Sequence, residues 1–225
     1  MKAIGISSSG RKNAYSKKIV RDILDESGVP YEMIHLAALD IKGCLGCLQC
    51  ASDNKCVQKD DFQGVVDKIN EADALVFGGG NYYGMLNAIG HVFWERTFAL
   101  RHREVFPFAG KLGVAVGLDR EKEEREATAF IEKMMLSNKM AVIATLTESG
   151  HQQCYDCGHG HDCVVGNVYV HMGLTSAENA EKNRPVEFPP GGFLRTGPGR
   201  RSPNHPRLHP ASRKNENHSC KFSRE

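Results

Sequence analysis

Short apolar, β-prone runs alternate with amphipathic helical segments along residues 1–145, and this alternation restricts the folds open to the chain. The first helical segment, for example, carries Ile19, Val20, Ile23 and Leu24 at helical spacing. Strands that alternate with helices predict an α/β fold whose parallel sheet is covered on both faces. The predicted strands are residues 2–6, 31–39, 74–77, 111–117 and 140–145, and the predicted helices are residues 15–26, 61–70, 85–101 and 121–138.

Two loops follow predicted strands, at the edge of the sheet where such folds bind ligands. Residues 7–13 lead into a helix, and their serines and glycine let backbone N–H groups approach a phosphate closely. Residues 78–84 hold three consecutive glycines and the pair Tyr82 and Tyr83, which suit contact with a flat ring. Alone, the first loop could equally be an ordinary polar connection, and the tyrosines of the second could equally be core or edge aromatics. Together the two loops predict a mononucleotide site.

The cysteines of residues 43–57 are spaced as C-x2-C-x2-C-x5-C. Four thiolates this close in sequence can each bind one iron of a [4Fe–4S] cluster, and Gly43 and Gly46 permit the tight turns between them. Zinc is the alternative, although structural zinc more often takes two C-x2-C pairs joined by a longer spacer. The pattern favours the cluster, and its predicted ligands are Cys44, Cys47, Cys50 and Cys56.

A second group of cysteines, Cys154, Cys157 and Cys163, follows the last predicted strand among Gly and His residues. Three thiols with one of the nearby histidines can complete a zinc site, or can hold a second iron–sulfur cluster with a non-cysteine or open fourth position. A loop with adventitious thiols is the alternative. We predict a second metal site here without assigning its metal.

The composition bounds the compartment and the partners. The 29 Lys and Arg residues nearly balance the 27 Asp and Glu residues, which gives no indication of a nucleic-acid or membrane partner. The first residues are too short an apolar run for a secretory signal, and no run approaches the roughly 18 apolar residues of a spanning helix. We therefore expect a cytoplasmic protein with no nucleic-acid and no membrane partner, in which clustered cysteines hold metal.

The cysteine loop resembles that of a known family, the iron–sulfur flavoproteins, which belong to the wider flavodoxin-like group of NADPH-dependent FMN reductases. The similarity extends to Lys-Asp-Asp at 59–61 and to Ala-Asp-Ala-Leu-Val-Phe at 72–77. Residues 5–16 are similar to the family's phosphate loop, whereas residues 82–84 and 93–97 are similar to its second flavin loop and the following helix. The resemblance covers about residues 1–145, with Gly10, Tyr15, Gly80 and Asn81 as departures.

The resemblance implies a flavodoxin-like, doubly wound sheet of five parallel strands that binds FMN, with the cysteine-rich loop as an insertion. We therefore expect a flavodoxin-like domain over residues 1–150, a Cys/His-rich extension over 151–184 and a disordered tail over 185–225, where Pro, Gly, Arg and Asn replace apolar residues. The residues expected around FMN are Ser7, Ser9, Arg11, Lys12, Asn13 and Ser16 at the phosphate, and Gly78, Gly79, Gly80, Asn81, Tyr82 and Tyr83 at the ribityl chain and ring.

The function implied by the resemblance is electron transfer. An oxidoreductase holding FMN and a [4Fe–4S] cluster would pass electrons from a ferredoxin-like donor to an acceptor that the sequence does not identify. The resemblance also implies a homo-oligomer that places the cluster of one subunit near the flavin of its neighbour, and we expect both sites at one end of the sheet. Two alternatives are an NAD(P)H-dependent FMN or quinone reductase with structural zinc, and a non-enzymatic metal or redox sensor.

The sequence identifies no catalytic acid or base. His91, His102 and Asp119 lie near the predicted loops, but we expect each of them to be structural or solvated.

Overall fold

In the computed structural model, which describes residues 1–11, 13–119 and 124–150, five parallel strands form the centre of the fold. Together with one short antiparallel strand, β4 (Met85–Leu86), the described strands are β1 (Ala3–Ser7), β2 (Tyr31–His35), β3 (Ala74–Tyr82), β5 (Leu112–Asp119) and β6 (Ala141–Ser149). The parallel strands lie in the order β2-β1-β3-β5-β6, and β4 pairs antiparallel with the end of β3. Without the short β4, this is the strand order of flavodoxin-like folds, so the predicted fold class is confirmed.

Helices cover both faces of the sheet. They are α1 (Tyr15–Ser27), α2 (Phe62–Asn70), α3 (Ala88–Arg96) and α4 (Glu126–Ser137). Val20 of α1 packs over Gly5 and Gly78, whereas apolar side chains of the other three helices share one core with Ile4 and Phe77. Because neighbouring strand residues point to opposite faces, α1 covers one side of the sheet and the other helices cover its opposite side.

The ends of several elements differ from the predictions. The predicted strand 31–39 stops at His35, because Leu36–Ala38 form a 3-10 turn whose carbonyl at Leu36 accepts a bond from the N–H of Leu39. The predicted helix 85–101 begins only at Ala88 and continues after Arg96 as a 3-10 turn, Thr97–Leu100.

The glycines at 78–80 lie within β3, so the prediction that they form a loop is wrong. Gly78, Gly79 and Gly80 pair with the residues from Val116 to Leu118 of β5 and extend the sheet. A Cβ atom at Gly78 would meet the side chain of Val20, and one at Gly79 would meet Leu86 and Ser8. Close packing of the chain against itself therefore already requires glycine at two of these positions.

The second cysteine group and the predicted tail lie outside the described residues, so the extension over 151–184 and the disorder over 185–225 stay predictions. Within the described ranges, none of the helices combines the length and the apolar character needed to cross a membrane.

We expect Gly117→Ala to lower the free energy of unfolding by about 1–3 kcal/mol, because overpacking strains a rigid core. A Cβ atom there would lie 2.6 Å from the backbone nitrogen of Thr128 in α4, which cannot move aside as a flexible side chain can. Gly64→Ala is the matched control, since Gly64 is exposed in α2 with open space around its Cα.

Urea unfolding followed by circular dichroism compares the two variants. Gly64→Ala should gain about 0.5–1 kcal/mol from the lower chain entropy of the unfolded state and the better helix propensity of alanine. Equal stability of the two variants would show that α4 can shift away from β5 without cost.

Candidate cofactor and metal site

The N-terminus of α1 faces the predicted phosphate loop and has no side-chain cap. Its N-cap residue is Ala14, and the first turn contains no acidic residue. The first N–H groups of a helix have no partner within the helix, and together they favour an anion. The end of α1 therefore has the donors and the partial charge that a phosphate needs.

The serines of the phosphate loop divide into buried and accessible groups. Ser7 and Ser16 are fully buried, and their hydroxyl oxygens lie 3.3 Å apart in a mutual hydrogen bond. Ser9 is half-buried and accepts a bond from the N–H of Arg11, which is exposed like Asn13. Lys12 lies outside the described residues. Of the predicted phosphate ligands, Ser9, Arg11 and Asn13 are thus the accessible ones.

Tyr15, the first residue of α1, lies near acidic groups. Burial raises the pKa of Tyr15 to about 12, and the carboxylates of Glu148 and Asp22 add to this effect. Glu148 is itself buried near the end of β6. The hydroxyl of Tyr15 therefore stays protonated at neutral pH.

A buried contact that the sequence did not reveal ties the phosphate loop to α3. The hydroxyl of Ser8 donates to Asn87 Oδ1 at 2.7 Å, and Asn87 Nδ2 donates back to the Ser8 carbonyl at 2.7 Å. A Cβ atom at Gly90, in the first turn of α3, would lie 2.9 Å from the Ser8 side chain, so the backbone of α3 packs closely on Ser8. The hydrogen bonds join residues 79 positions apart, so no local motif could have predicted them.

The β3–β4 hairpin carries the two tyrosines. Tyr83 is fully exposed and adopts a left-handed φ of 55°, which is unusual for a bulky residue and marks the tip of the turn. Tyr82 is also exposed. Neither ring belongs to the core, so both tyrosines are accessible to the ring of a ligand. Their contact with such a ring stays a prediction.

Asn81 holds the hairpin to the rest of the sheet edge. Its Oδ1 accepts a bond from the N–H of Gly84 at 2.8 Å, and its Nδ2 donates to Asp119 Oδ1 at 2.7 Å. Asp119 is buried, and burial, together with the charge of Glu126, raises the pKa of its carboxyl above the usual range. As expected from sequence, Asp119 is structural.

A buried ion pair closes the base of the cysteine loop. Arg96, the last residue of α3, donates from Nη1 to Asp60 Oδ2 at 2.6 Å and from Nη2 to Asp60 Oδ1 at 3.2 Å, and both side chains are 1% exposed. Arg96 also donates to the carbonyl of Lys42 at 2.6 Å, and Asp60 accepts from the N–H of Lys42. One guanidinium thus fixes the residues that enter and leave the loop.

The charge state of this pair follows from its contacts. Burial raises the pKa of the Asp60 carboxyl, but hydrogen bonds from Arg96 and from the backbone N–H groups of Lys42 and Phe62 lower it further, so that the pKa lies below the usual range. The Arg96 guanidinium also lies 4.7 Å from the centre of the Phe62 ring. Both groups are charged at neutral pH.

The four thiols of the loop line one pocket together with Arg96 and Phe98. Cys44 and Cys47 are exposed, Cys56 is half-buried, and Cys50 is buried at 9% exposure. Burial raises the pKa of the Cys50 thiol above its usual range.

The donor set of this pocket suits an anionic iron–sulfur group. Cys56 lies against the Arg96 guanidinium, whose buried Nε has no hydrogen-bond partner. A buried N–H without a partner is costly, and a sulfur of a bound cluster would satisfy it. Within the described ranges, no three Cys, His, Asp or Glu side chains converge closely enough to hold a single metal ion.

His102 also contacts the thiols, although we expected it to be structural or solvated. Its Nε2 lies 3.2 Å from the Sγ of Cys50. His91, by contrast, stacks on the ring of Phe130 at 4.6 Å and takes the structural position expected of it. No local pattern in the sequence predicts the contact of His102 with Cys50, because the two residues are 52 positions apart.

α3 contacts both sites, whose loops follow the carboxyl ends of the neighbouring parallel strands β1 and β2. The phosphate loop contacts Asn87 and Gly90 near the start of α3, whereas the cysteine loop contacts Glu95 and Arg96 at its end. A helix of nine residues is about 13 Å long. This length sets the separation of the two groups of contacts along the helix.

Comparison with known proteins gives consistent matches. The family model of NADPH-dependent FMN reductases matches residues 1–152. An iron–sulfur flavoprotein of Methanocaldococcus jannaschii is 30% identical over 188 residues, which cover 81% of this chain and 94% of that protein. An iron–sulfur flavoprotein of Archaeoglobus fulgidus is 30% identical over 128 residues, covering 55% of this chain and 58% of that protein.

Solved structures are similar in fold. The crystal structure of RosB with bound 8-demethyl-8-formylriboflavin-5'-phosphate superposes with a TM-score of 0.55 and 15% identity, covering 96% of this chain and 100% of RosB. At this level of identity the similarity supports the fold alone.

We expect Arg96→Met to lower the free energy of unfolding by about 3–5 kcal/mol, because the buried Asp60 carboxylate would lose its counter-charge. Arg96→Met combined with Asp60→Asn should be more stable than Arg96→Met alone, since the asparagine keeps an acceptor for the N–H groups of Lys42 and Phe62 without a charge.

Chemical unfolding at pH 7 and at pH 3 measures both effects. Because folding lowers the pKa of Asp60, the pair contributes its full stability above the unfolded pKa of about 3.9 and loses it as the pH falls through the folded value. The double variant lacks this contribution and should lose less stability than the wild-type protein when the pH falls from 7 to 3. An identical loss of unfolding free energy in the wild-type protein and the double variant would contradict this role of Asp60.

Proposed function

The chain belongs to the NADPH-dependent FMN reductase family, as one of its iron–sulfur flavoproteins, and on this premise we propose that it transfers electrons between a ferredoxin-like donor and an unidentified acceptor through FMN and a [4Fe–4S] cluster. Family membership makes the chain an oxidoreductase and supports FMN as its cofactor. The observation that supports the cluster assignment is that one pocket is lined by all four thiols, those of Cys44, Cys47, Cys50 and Cys56.

The arrangement of the thiols favours a cluster over zinc. Zinc would draw four ligands to one ion at about 2.0–2.3 Å, whereas a cubane spreads its four thiolates over four irons. The four thiols line one pocket, and their C-x2-C-x2-C-x5-C spacing lacks the longer spacer that usually separates the cysteine pairs of structural zinc. The unpartnered Nε of Arg96 beside them offers a hydrogen bond to a sulfur of the cluster.

The start of α1 supports the proposed FMN phosphate site. The uncapped helix end supplies backbone N–H groups, and Ser9, Arg11 and Asn13 are the accessible side chains of the loop. Tyr82 and Tyr83 are accessible for the flavin ring. Four other predicted residues are packed against the rest of the chain and would support the site from inside the protein. They are Ser7, Ser16, Gly78 and Gly79.

When bound, FMN accepts electrons in pairs and releases them singly, and a [4Fe–4S] cluster carries one electron at a time. The chain's own residues would position these groups. The contacts of α3 with both loops fix the distance between the phosphate site and the thiols, and the buried Arg96 and Asp60 hold the loop in place.

We also propose that the chain forms a homo-oligomer, with the cluster of one copy near the flavin of another. Exposed apolar side chains at both sites support this proposal, since such patches mark interaction surfaces. They are Leu45, Leu48, Val57 and Phe98 around the thiols, and Tyr82, Tyr83, Met85 and Ile89 around the hairpin and the start of α3.

We expect Asn13→Asp to weaken FMN binding roughly 3- to 30-fold, which corresponds to about 0.7–2 kcal/mol. The substitution adds a negative charge beside the N-terminus of α1 while keeping the size of the side chain. Titration of the flavin-free protein with FMN, followed by quenching of flavin fluorescence, measures the affinity.

Asn70→Asp is the matched control, because Asn70 is exposed at the end of α2 and its carbonyl accepts a bond from Lys111, just before the amino end of β5. Riboflavin, which lacks the phosphate, gives a second comparison. Asn70→Asp should leave FMN affinity unchanged, and Asn13→Asp should leave riboflavin affinity unchanged. Equal loss of affinity for both flavins in Asn13→Asp would place the phosphate elsewhere.

We expect Cys50→Ser to remove about four irons and four sulfides per chain from protein reconstituted under anaerobic conditions. The wild-type protein should be brown, with a broad shoulder near 400 nm (about the wavelength typical of such clusters) that dithionite bleaches. Metal and acid-labile sulfide analysis counts the irons. Cys220→Ser, which changes a cysteine outside both groups, is the control and should keep its iron.

Replacing Cys154, Cys157 and Cys163 together distinguishes iron at the proposed second site from iron at the first loop. Iron that remains in this triple variant belongs to the first loop. Iron unchanged in Cys50→Ser would contradict the ligand assignment. A yellow protein with zinc would indicate the NAD(P)H-dependent reductase, and a colourless one with zinc would indicate a sensor.

A further inference from the structure

Cys50 has its sulfur within hydrogen-bond distance of a histidine from outside the loop. Its Sγ lies 3.2 Å from Nε2 of His102, and it is the most buried of the four. His102 follows the 3-10 turn at the end of α3 and begins another turn, His102–Glu104. The contact therefore joins the centre of the cysteine loop to the segment after α3.

The imidazole of His102 is held in place from two directions. The ring of Phe98 meets it edge to face, with the ring centres 5.0 Å apart. The next residue, Arg103, has a left-handed φ of 55° and donates from Nη1 to the carbonyl of Ser52 at 2.9 Å. An unusual backbone conformation kept in place by a contact to the cysteine loop fixes where His102 points.

The chemistry of a bound thiolate determines the direction of this hydrogen bond. A cysteine bound to iron carries no proton and can only accept, so the proton must lie on Nε2 of His102. A hydrogen bond to a ligand sulfur is one of the means by which a protein sets the potential of an iron–sulfur cluster.

We propose that His102 is a positioning residue of the cluster site, which donates its Nε2–H to the Cys50 thiolate and thereby raises the reduction potential of the cluster. This proposal rests on the [4Fe–4S] cluster proposed above. Reduction adds one electron to the cluster and breaks no bond, and part of the added negative charge lies on the ligand sulfurs. A hydrogen-bond donor at Cys50 therefore stabilises the reduced form more than the oxidised form.

The test is an anaerobic redox titration of the full-length reconstituted protein with dithionite and mediators, followed by the electron paramagnetic resonance signal of the reduced cluster. His102→Leu keeps the bulk of the ring and removes the donor, whereas His102→Gln keeps an N–H donor. We expect a lower reduction potential in His102→Leu and a value nearer to wild type in His102→Gln.

His91→Leu is the matched control, because it removes an imidazole that stacks on Phe130 and contacts none of the described cysteines. Its cluster potential should equal that of wild type. A potential in His102→Leu equal to that of His91→Leu, at full iron content, would overturn the proposal. Loss of the cluster from His102→Leu but not from His102→Gln would support it, and loss from both would overturn it.

A spectroscopic measurement separates the hydrogen bond from a packing effect. Pulsed electron paramagnetic resonance of the reduced cluster, in protein labelled with ¹⁵N-histidine and with Cys154, Cys157 and Cys163 replaced, should show a nitrogen coupling when residue 102 is histidine, also with His91→Leu. The coupling should be absent in His102→Leu, and its persistence there would overturn the proposal. Absence of iron and sulfide from the wild-type protein would instead refute the proposed function, so the two failures are distinguishable.

Discussion

The ion pair between Arg96 and Asp60 is the interaction on which the cysteine loop depends. Both side chains are buried, so removing either one leaves an uncompensated charge or an unsatisfied group in the core. Arg96 binds the carbonyl of Lys42 before the loop and the carboxylate of Asp60 after it. Asp61 adds to the closure, because its backbone and side chain both bond to Asp40. The thiols are thus presented by a closed loop, which limits the rearrangement that binding a cluster would require.

α3 extends this constraint to the other site. Arg96 ends the helix at the cysteine loop, and Asn87 precedes it at the phosphate loop. The close packing of Gly90 on Ser8 fixes the start of the helix against the sheet edge. Because α3 is held at both ends, the length of its nine residues sets the spacing between the phosphate loop and the thiols. In the proposed electron transfer, this spacing would hold the two cofactor sites at a constant separation.

The local parts of this structure could be predicted and the long-range parts could not. Apolar periodicity gave the parallel strands and the helices, because burial of one helix face and alternation along strands leave a pattern in neighbouring residues. The spacing of the cysteines likewise predicted one shared loop. The contacts of Ser8 with Asn87, of Arg96 with Asp60 and of His102 with Cys50 join residues between 36 and 79 positions apart. No local spacing encodes such contacts, and an arginine in a helix is more often a solvated residue.

The glycines and Asn81 of the second loop show why composition can predict a site and yet misplace its parts. Three consecutive glycines predict space for a ring, but Val20 and Leu86 occupy the space beside Gly78 and Gly79. Asn81 departs from the family pattern, and its amide is committed to Asp119 and to the turn at Gly84. It therefore shapes the hairpin instead of offering a free polar group. The exposed tyrosines beyond it are the part of this segment that remains open to a ligand, because the packing of the preceding residues fixes the backbone from which they project.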